Sequence, residues 1–337
     1  MILHTELRNV VGHWTAPRYE VLLYQTTSPR RNSWFPLEGC QFELYLYNRP
    51  DHLGTQATAL LYTFYLLDHL TGESLALIHV AQDREAQLWS PPMAPFGGIQ
   101  CAGHTPPQAL AYLLECVAEW AQAQQLKGIT IKTAPAAYQP AQHEVLHQSY
   151  IAAGYRPLYE HNNHHINVSE QPFVELLAAA ERRRLRKCQR AGLVARPWYN
   201  PEPELAYHFL EKSRQQQGYP LTLSYRKLRD LLDTFPSEVL VFGVFDGETI
   251  AAMTVAIRVS QGVLYNFLPA DNLLYRTYSP TVLLNEMLYS YCQSEDIEVL
   301  DLGTSLDHHG QPKPGLARFK ERLGGTCSPK ITYCKEF

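Results

Sequence analysis

The chain carries the same succession of elements twice. The run YTFYLLDHLTGE from Tyr62 and the run LVFGVFDGE from Leu240 each end in a turn signal. A second strand-like run follows in each copy, LALIHVA from Leu75 and IAAMTVAIRV from Ile250, and then a third, AQLWS from Ala86 and GVLYNFLP from Gly262. Next come a loop holding Pro, Gly or Ser, an amphipathic helix (108–124; 281–294) and a short apolar strand (128–132; 297–302). Hairpin, strand, loop, helix and strand in duplicate predict an α/β chain with mixed sheets, built from two copies of one module.

Length agrees with a doubling. The 337 residues exceed one typical core and suit two domains, which we place at 1–168 and 169–337. The formal charge of −4 argues against nonspecific nucleic-acid binding, DNA included, by the whole surface, though not against a local basic cleft. No run approaches the roughly 20 apolar residues of a membrane span. The N-terminus lacks a basic-then-apolar signal pattern, so a cytoplasmic protein is expected. Seven scattered cysteines without Cys-x-x-Cys spacing read as reduced core thiols.

Around the repeats, an irregular segment runs to about Pro36 and a strand covers 41–47. A helix over 141–153 is closed by Gly154 and enters a strand over 155–168. The second half opens on a basic helix, 173–190, capped by Gly192. Helices over 202–217 and 224–234 follow, the latter with Ser224 as N-cap.

The loop ahead of each repeated helix is where chemistry is expected. The first is PFGGIQCAGHTPPQ, with Gln100-x-x-Gly103-x-Thr105, and the second NLLYRTYSPTVLL, with Arg276-x-x-Ser279-x-Thr281. Small residues permit close backbone approach, and first-turn N–H groups with the helix dipole favour an anion such as a pyrophosphate. Ser279-Pro280 also reads as a plain N-cap with Pro at the first helical position.

This pattern resembles the acetyltransferase (GNAT) superfamily: strand hairpin, strand, [Gln/Arg]-x-x-Gly-x-[Gly/Ala], helix. The tandem arrangement resembles its Fem-type branch of peptidyltransferases and related acyltransferases. Asp301-Leu302-Gly303 and then Gly315-Leu316-x-x-Phe319-Lys320-x-x-Leu323-Gly324 are similar to the ending of those proteins. The chain departs from the pattern in Ser279 and Thr281, which replace glycines, and in lacking the long helical hairpin that some members use on tRNA.

The resemblance implies two GNAT-like domains and direct attack of an amine on an activated acyl carbonyl. It implies acyl-CoA as donor, held in the second domain by Arg276, Tyr278, Ser279 and Thr281. Asp301 would accept the amine proton, Tyr265 would supply a phenol proton, and Lys320 would meet a phosphate or the developing oxyanion. Phe96, Gly97, Gly98 and Gln100 of the first domain, with Ser305, would contact an acceptor such as a cell-wall or polysaccharide precursor in the inter-domain groove. Read without the resemblance, Asp301 caps a loop, Tyr265 packs a core and Lys320 sits on a solvated face. Charged tRNA as donor is a second reading, against which the missing arm and acidic charge count. A catalytically silent binding module is a third. A monomer is expected, since the duplication supplies internally what single-domain relatives obtain by pairing.

Other signals carry less. His161, His164 and His165 lie in one strand, where alternation puts the last two on opposite faces, so no metal site is expected. Ser305, Asp307 and His308 crowd one loop, the wrong geometry for a triad. The basic run 182–190 reads as a solvated face, or as the wall of a cleft attracting an anionic acceptor.

Overall fold

The computed structural model describes residues 10–26, 40, 42–56 and 60–337. They form two compact units, one of residues 1–161 with 329–337 and one of residues 162–328.

Unit 1 begins with β1 (Val10–Thr15) and β2 (Tyr19–Thr26), an antiparallel pair where the sequence reading expected irregular chain. Burial alternates along β1, so the period-two signal is present but short. Phe42–Tyr47, expected as a strand, is irregular chain leading into a 3-10 turn at Leu46–Asn48; Gln41 lies outside the described residues. The polar side chain of Gln100 takes the backbone N–H of Tyr45 at 3.1 Å, which holds this stretch without a partner strand. Helix α1 (Pro50–Leu53) follows, and then the first repeat.

That repeat is β3 (Leu61–Asp68), β4 (Ser74–Gln82), β5 (Gln87–Ser90), the short β6 (Gln100–Cys101), α2 (Pro107–Ala123) and β7 (Gly128–Lys132). Strands β2, β3, β4 and β5 pair antiparallel in order, and β5 pairs β7 in parallel. Pro107 starts α2 at its first position, where a missing N–H costs nothing. Its face Ala109, Leu110, Leu113, Leu114, Val117 and Ala121 repeats at three and four residues and is buried in the sheet's core. Helix α3 (Pro140–Ala152) ends at Gly154, whose φ of 79° is the left-handed value the helix stop requires. The chain leaves unit 1 along β8 (Arg156–Asn167).

In unit 2 the expected helix over 173–190 is two: α4 (Phe173–Leu176) and α5 (Ala179–Arg190). Leu177 and Ala178 are extended, because the Ala178 N–H is taken by the carbonyl of Arg322 at 2.8 Å. A helical Ala178 could not make that bond. Strand β9 (Val194–Pro197), α6 (Pro203–Gln216) and α7 (Tyr225–Thr234) come next; the Ser224 side chain does accept the Lys227 N–H.

The second repeat is β10 (Val239–Asp246), β11 (Thr249–Ser260), β12 (Val263–Asn266), the short β13 (Ala270–Asp271), α8 (Pro280–Ser294) and β14 (Val299–Thr304). Asp246 pairs with Thr249, leaving a two-residue hairpin turn with Gly247 first at φ 56°. A positive φ there matches the right-handed twist of the flanking strands. The sheet of this unit runs β8, β14, β12, β11, β10, β9, with β12 and β14 parallel. Helix α9 (Pro314–Arg322) and strand β15 (Thr326–Glu336) close the chain. The last part of β15 belongs to unit 1, where it pairs antiparallel with β7.

Both repeats therefore have the order read from sequence, with parallel third and last strands in each. All seven cysteines are unpaired.

Candidate active site

The two parallel strands of unit 2 are paired only as far as Tyr265 and Asp301. Beyond that point β12 stays with β11, while β14 stays with β8 through a bulge between Asp301 and Gly303. The strands therefore splay, and a bulge beside a splay re-aims the chain around it. A cavity of 450 Å³ opens there, bounded by the ends of both strands, the first turns of α8, the inner face of α9 and the chain after α6. That volume lies within the range of small-molecule sites.

Asp301 is 2% exposed, and its Oδ1 accepts the Asn163 Nδ2 at 2.7 Å and the Gly303 N–H at 2.6 Å. Gly303 has a φ of 75°, and a Cβ placed on it would lie 3.3 Å from the Tyr265 ring. Glycine is thus required twice over, for conformation and for contact. Tyr265 lines the cavity, and burial, with the charge of Asp301, raises its phenol above the ordinary value, so it stays protonated.

Lys320 departs most from a solvated lysine. It is 7% exposed, and its Nζ donates to the carbonyls of Gly303 at 2.9 Å and Thr304 at 2.8 Å. Burial pulls its pKa down to about 8, against an opposing pull from Asp301. An ammonium has three protons, so the third remains for the cavity that Lys320 lines.

Ser305 is buried, with its Oγ 3.4 Å from His164 Nδ1, and its carbonyl accepts the Lys313 N–H. His164 and His165 do contact different partners, Ser305 and Thr326. Among the described residues no group of three or more potential metal ligands forms.

Thr281 also lines the cavity, whereas Arg276, Tyr278 and Ser279 form the loop before α8. The fit of this loop to a pyrophosphate is poor in its backbone. The N–H groups of Arg276, Tyr278 and Ser279 already donate to Leu273, Tyr275 and Arg276 carbonyls, and Pro280 has none to offer. Ser279 is not an ordinary cap either: it sits at φ 58° and its side chain accepts no capping bond. What the loop presents is side-chain charge. Arg276 is exposed, 3.6 Å from Asp271, and Lys187 of α5 donates to the Thr277 carbonyl at 2.6 Å.

Phe96, Gly97, Gly98 and Gln100 are in unit 1, and all four are buried. Phe96 packs edge-on against Tyr45, Tyr47 and Tyr138. Gly97 donates to the Lys132 carbonyl and Gly98 to Ser90 Oγ. The Gln100 amide is committed to Tyr45, Asn48 and the Glu43 carbonyl. This loop is packed as structure, unlike its counterpart region in unit 2.

Sequence reasoning passed over Arg214, Tyr219, Lys313, Asn266 and Asn285, which all line the cavity. Arg214 and Lys313 form no ion pair among the described residues; Arg214 donates to the Pro269 carbonyl and Lys313 to the Tyr219 hydroxyl. Only folding brings these positions, over 90 residues apart, to one wall. For Asn266 a signal existed, a polar residue ending an apolar strand.

Residues 178–321 match the family model of the acetyltransferase (GNAT) domain. The curated proteins include no significant match to the sequence. Among solved structures, FemX is similar at a TM-score of 0.64 and 13% identity, over 82% of this chain and 88% of that one. The C-terminal domain of a protein described as a lysylphosphatidylglycerol synthetase from Agrobacterium fabrum is similar at 0.50 and 13%, over 77% and 80%. At such identities the likeness is one of fold. The chain thus shares its fold with FemX, and residues 178–321, in its second half, match the acetyltransferase (GNAT) domain.

Proposed function

We propose that the protein is an N-acyltransferase that joins an activated acyl group to an amine in the unit 2 cavity. The observation that carries this reading is Lys320, a buried lysine that bonds two carbonyls and lines the cavity at the splay of β12 and β14. Such a group, fixed before the reaction, stabilises charge developing on a carbonyl oxygen without reorganising. A new C–N bond forms as the bond to the leaving group breaks. Asp301, buried beside the cavity without lining it, takes the proton lost by the amine through water, and Tyr265 returns a proton to the leaving sulfur. Two carbonyls hold Lys320 and two N–H donors hold Asp301, so the groups are positioned in advance.

Acyl-CoA is the donor we favour, from the GNAT match. When bound it would supply an activated thioester, and Arg276, Tyr278, Ser279 and Thr281 would meet its phosphates with side chains rather than a backbone nest. Arg214 and Lys313, without ion pairs among the described residues, favour an acceptor bearing a phosphate or carboxylate, as a polysaccharide or cell-wall precursor does. Seven unpaired thiols fit a reducing cytoplasm.

A charged tRNA is the second reading, and one feature favours it. Helix α5 carries Arg182, Arg183, Arg186, Lys187 and Arg190, and Lys187 and Cys188 tie it directly to the donor loop at Thr277 and Tyr278. A basic helix beside an engaged nest suits a polyanionic carrier.

Thermal unfolding with millimolar acyl-CoA separates the two. We expect the native protein to be stabilised and Arg276→Ala to lose most of the shift, because a ligand held only by the folded state raises Tm. No shift with any acyl-CoA, together with salt-sensitive binding of aminoacyl-tRNA, would transfer the reading to the second donor.

A further inference from the structure

Two buried amides in this cavity are only partly satisfied. Asn266, at the end of β12, is 6% exposed, and Asn285, on α8, is 4% exposed; both line the cavity. Their orientation follows from one backbone group. The Thr281 carbonyl can only accept, so Asn285 must turn its Nδ2 toward it, at 2.7 Å. Its Oδ1 then faces Asn266 and accepts that residue's Nδ2 at 3.4 Å. Asn266 Oδ1, facing the other way, accepts the Thr254 hydroxyl at 2.6 Å. Each Nδ2 carries two protons and each spends one in this ladder. Among the described residues one N–H on each amide is left without a partner, and both amides line a cavity whose wall also includes Leu268, Leu284, Leu302 and Phe319.

Leftover donors of this kind discriminate strongly. A ligand that displaces water from such donors must replace its hydrogen bonds or leave the donors stranded. A site built to bond a substrate oxygen rejects an analogue lacking it far better than an apolar pocket rejects an extra methylene.

We propose that the acyl group taken by this site bears an accepting oxygen close to its carbonyl, as a short hydroxyacyl group does, and that Asn266 and Asn285 select it over an alkyl acyl group of equal size. The proposal rests on the acyltransferase reading and names its substrate class. Thr254 is the positioning residue of the ladder, since it fixes Asn266 without lining the cavity.

The test uses hydroxyacetyl and propionyl thioesters of N-acetylcysteamine. The two acyl groups differ only in a hydroxyl for a methyl, and neither probe carries a nucleotide, so the outcome is independent of the natural carrier. Equilibrium binding to the full chain should favour hydroxyacetyl by about 10-fold or more, as expected when a desolvated donor is left unpaired. Asn285→Leu should bring the two within about threefold. Asn285→Thr, which keeps a hydroxyl beside Asn266 and perturbs folding less, should fall between. Equal affinities in the native protein, or tighter propionyl binding, overturn the selection while leaving the acyl site standing. Binding of neither thioester removes the acyl site and the proposal together. A preference unchanged in both variants overturns the role of the amides.

Discussion

Lys320 Nζ donates to the carbonyl of Gly303 at 2.9 Å, tying the last helix of unit 2 to the point where its parallel strands part. One bond thereby links the residue that carries charge to the backbone turn that makes room for substrate. Lys320→Met keeps the length and removes the charge. We expect kcat to fall roughly 10²–10³-fold, the usual loss of one pre-set donor to an oxyanion.

The pH dependence of the same residue has a definite sign. Its folded pKa of about 8 lies below the ordinary lysine value of 10.5. Between these values the unfolded chain binds the extra proton, so the Lys320 contribution to stability improves as pH rises through 8 toward 10.5. Activity runs the other way, because the protonated form is needed. We expect the acyl-transfer rate to decline above pH 8 while the stability gap to Lys320→Met moves in favour of the native protein, by denaturant unfolding across that range.

Gly303→Ala meets two penalties, a φ of 75° and a ring atom of Tyr265 3.3 Å from the new Cβ. A non-glycine residue in the left-handed region costs about 1–2 kcal/mol, and the ring must also give way. Urea titration should show a loss of at least that size, with activity falling further than stability because Tyr265 moves.

Tyr265→Phe removes the phenol that burial keeps protonated. General acids contribute roughly 10²–10⁴-fold. The deficit should shrink for thioesters whose leaving thiol is more acidic, since such a thiol needs no proton. A deficit equal for all leaving groups would assign Tyr265 to packing.

In unit 1, His79 is buried neutral, with Nε2 donating to the Asn48 carbonyl at 3.1 Å and Nδ1 accepting from Thr63 Oγ1 at 2.8 Å. Burial lowers its pKa to about 4. The unfolded chain protonates it near 6.5, so its contribution is full above 6.5 and is lost as pH falls from there through 4. His79→Gln should flatten that part of the acid-unfolding profile, followed by circular dichroism.

The repeated elements were legible because their signals are local: turn glycines at 72 and 247, Pro at the start of α2 and α8, and helical spacing of apolar residues between them. Strand β1 was missed because few residues alternate before Pro17 interrupts the pattern, and β2 because its central residues are buried in a run rather than in alternation. The break at Leu177 was invisible, since its cause is the carbonyl of Arg322, some 145 positions away. Likewise the sequence placed Asp301, Tyr265 and Lys320 near one site through their motifs, whereas the burial of Lys320 depends on the turn at Gly303. Arg214 and Asn285 are marked by nothing in the sequence, and Asn266 only by its polarity at the end of an apolar strand; they reach the cavity from three different elements.

The acyltransferase reading puts an acyl carbonyl against Lys320 in the splay of β12 and β14. A crystal structure with a 2-oxoalkyl thioether of N-acetylcysteamine, which keeps the carbonyl but cannot release the thiol, decides this. The ligand is expected in that cavity, with its carbonyl oxygen at about 2.7–3.1 Å from Lys320 Nζ. Density elsewhere, with the cavity holding only solvent at saturating ligand, would contradict it.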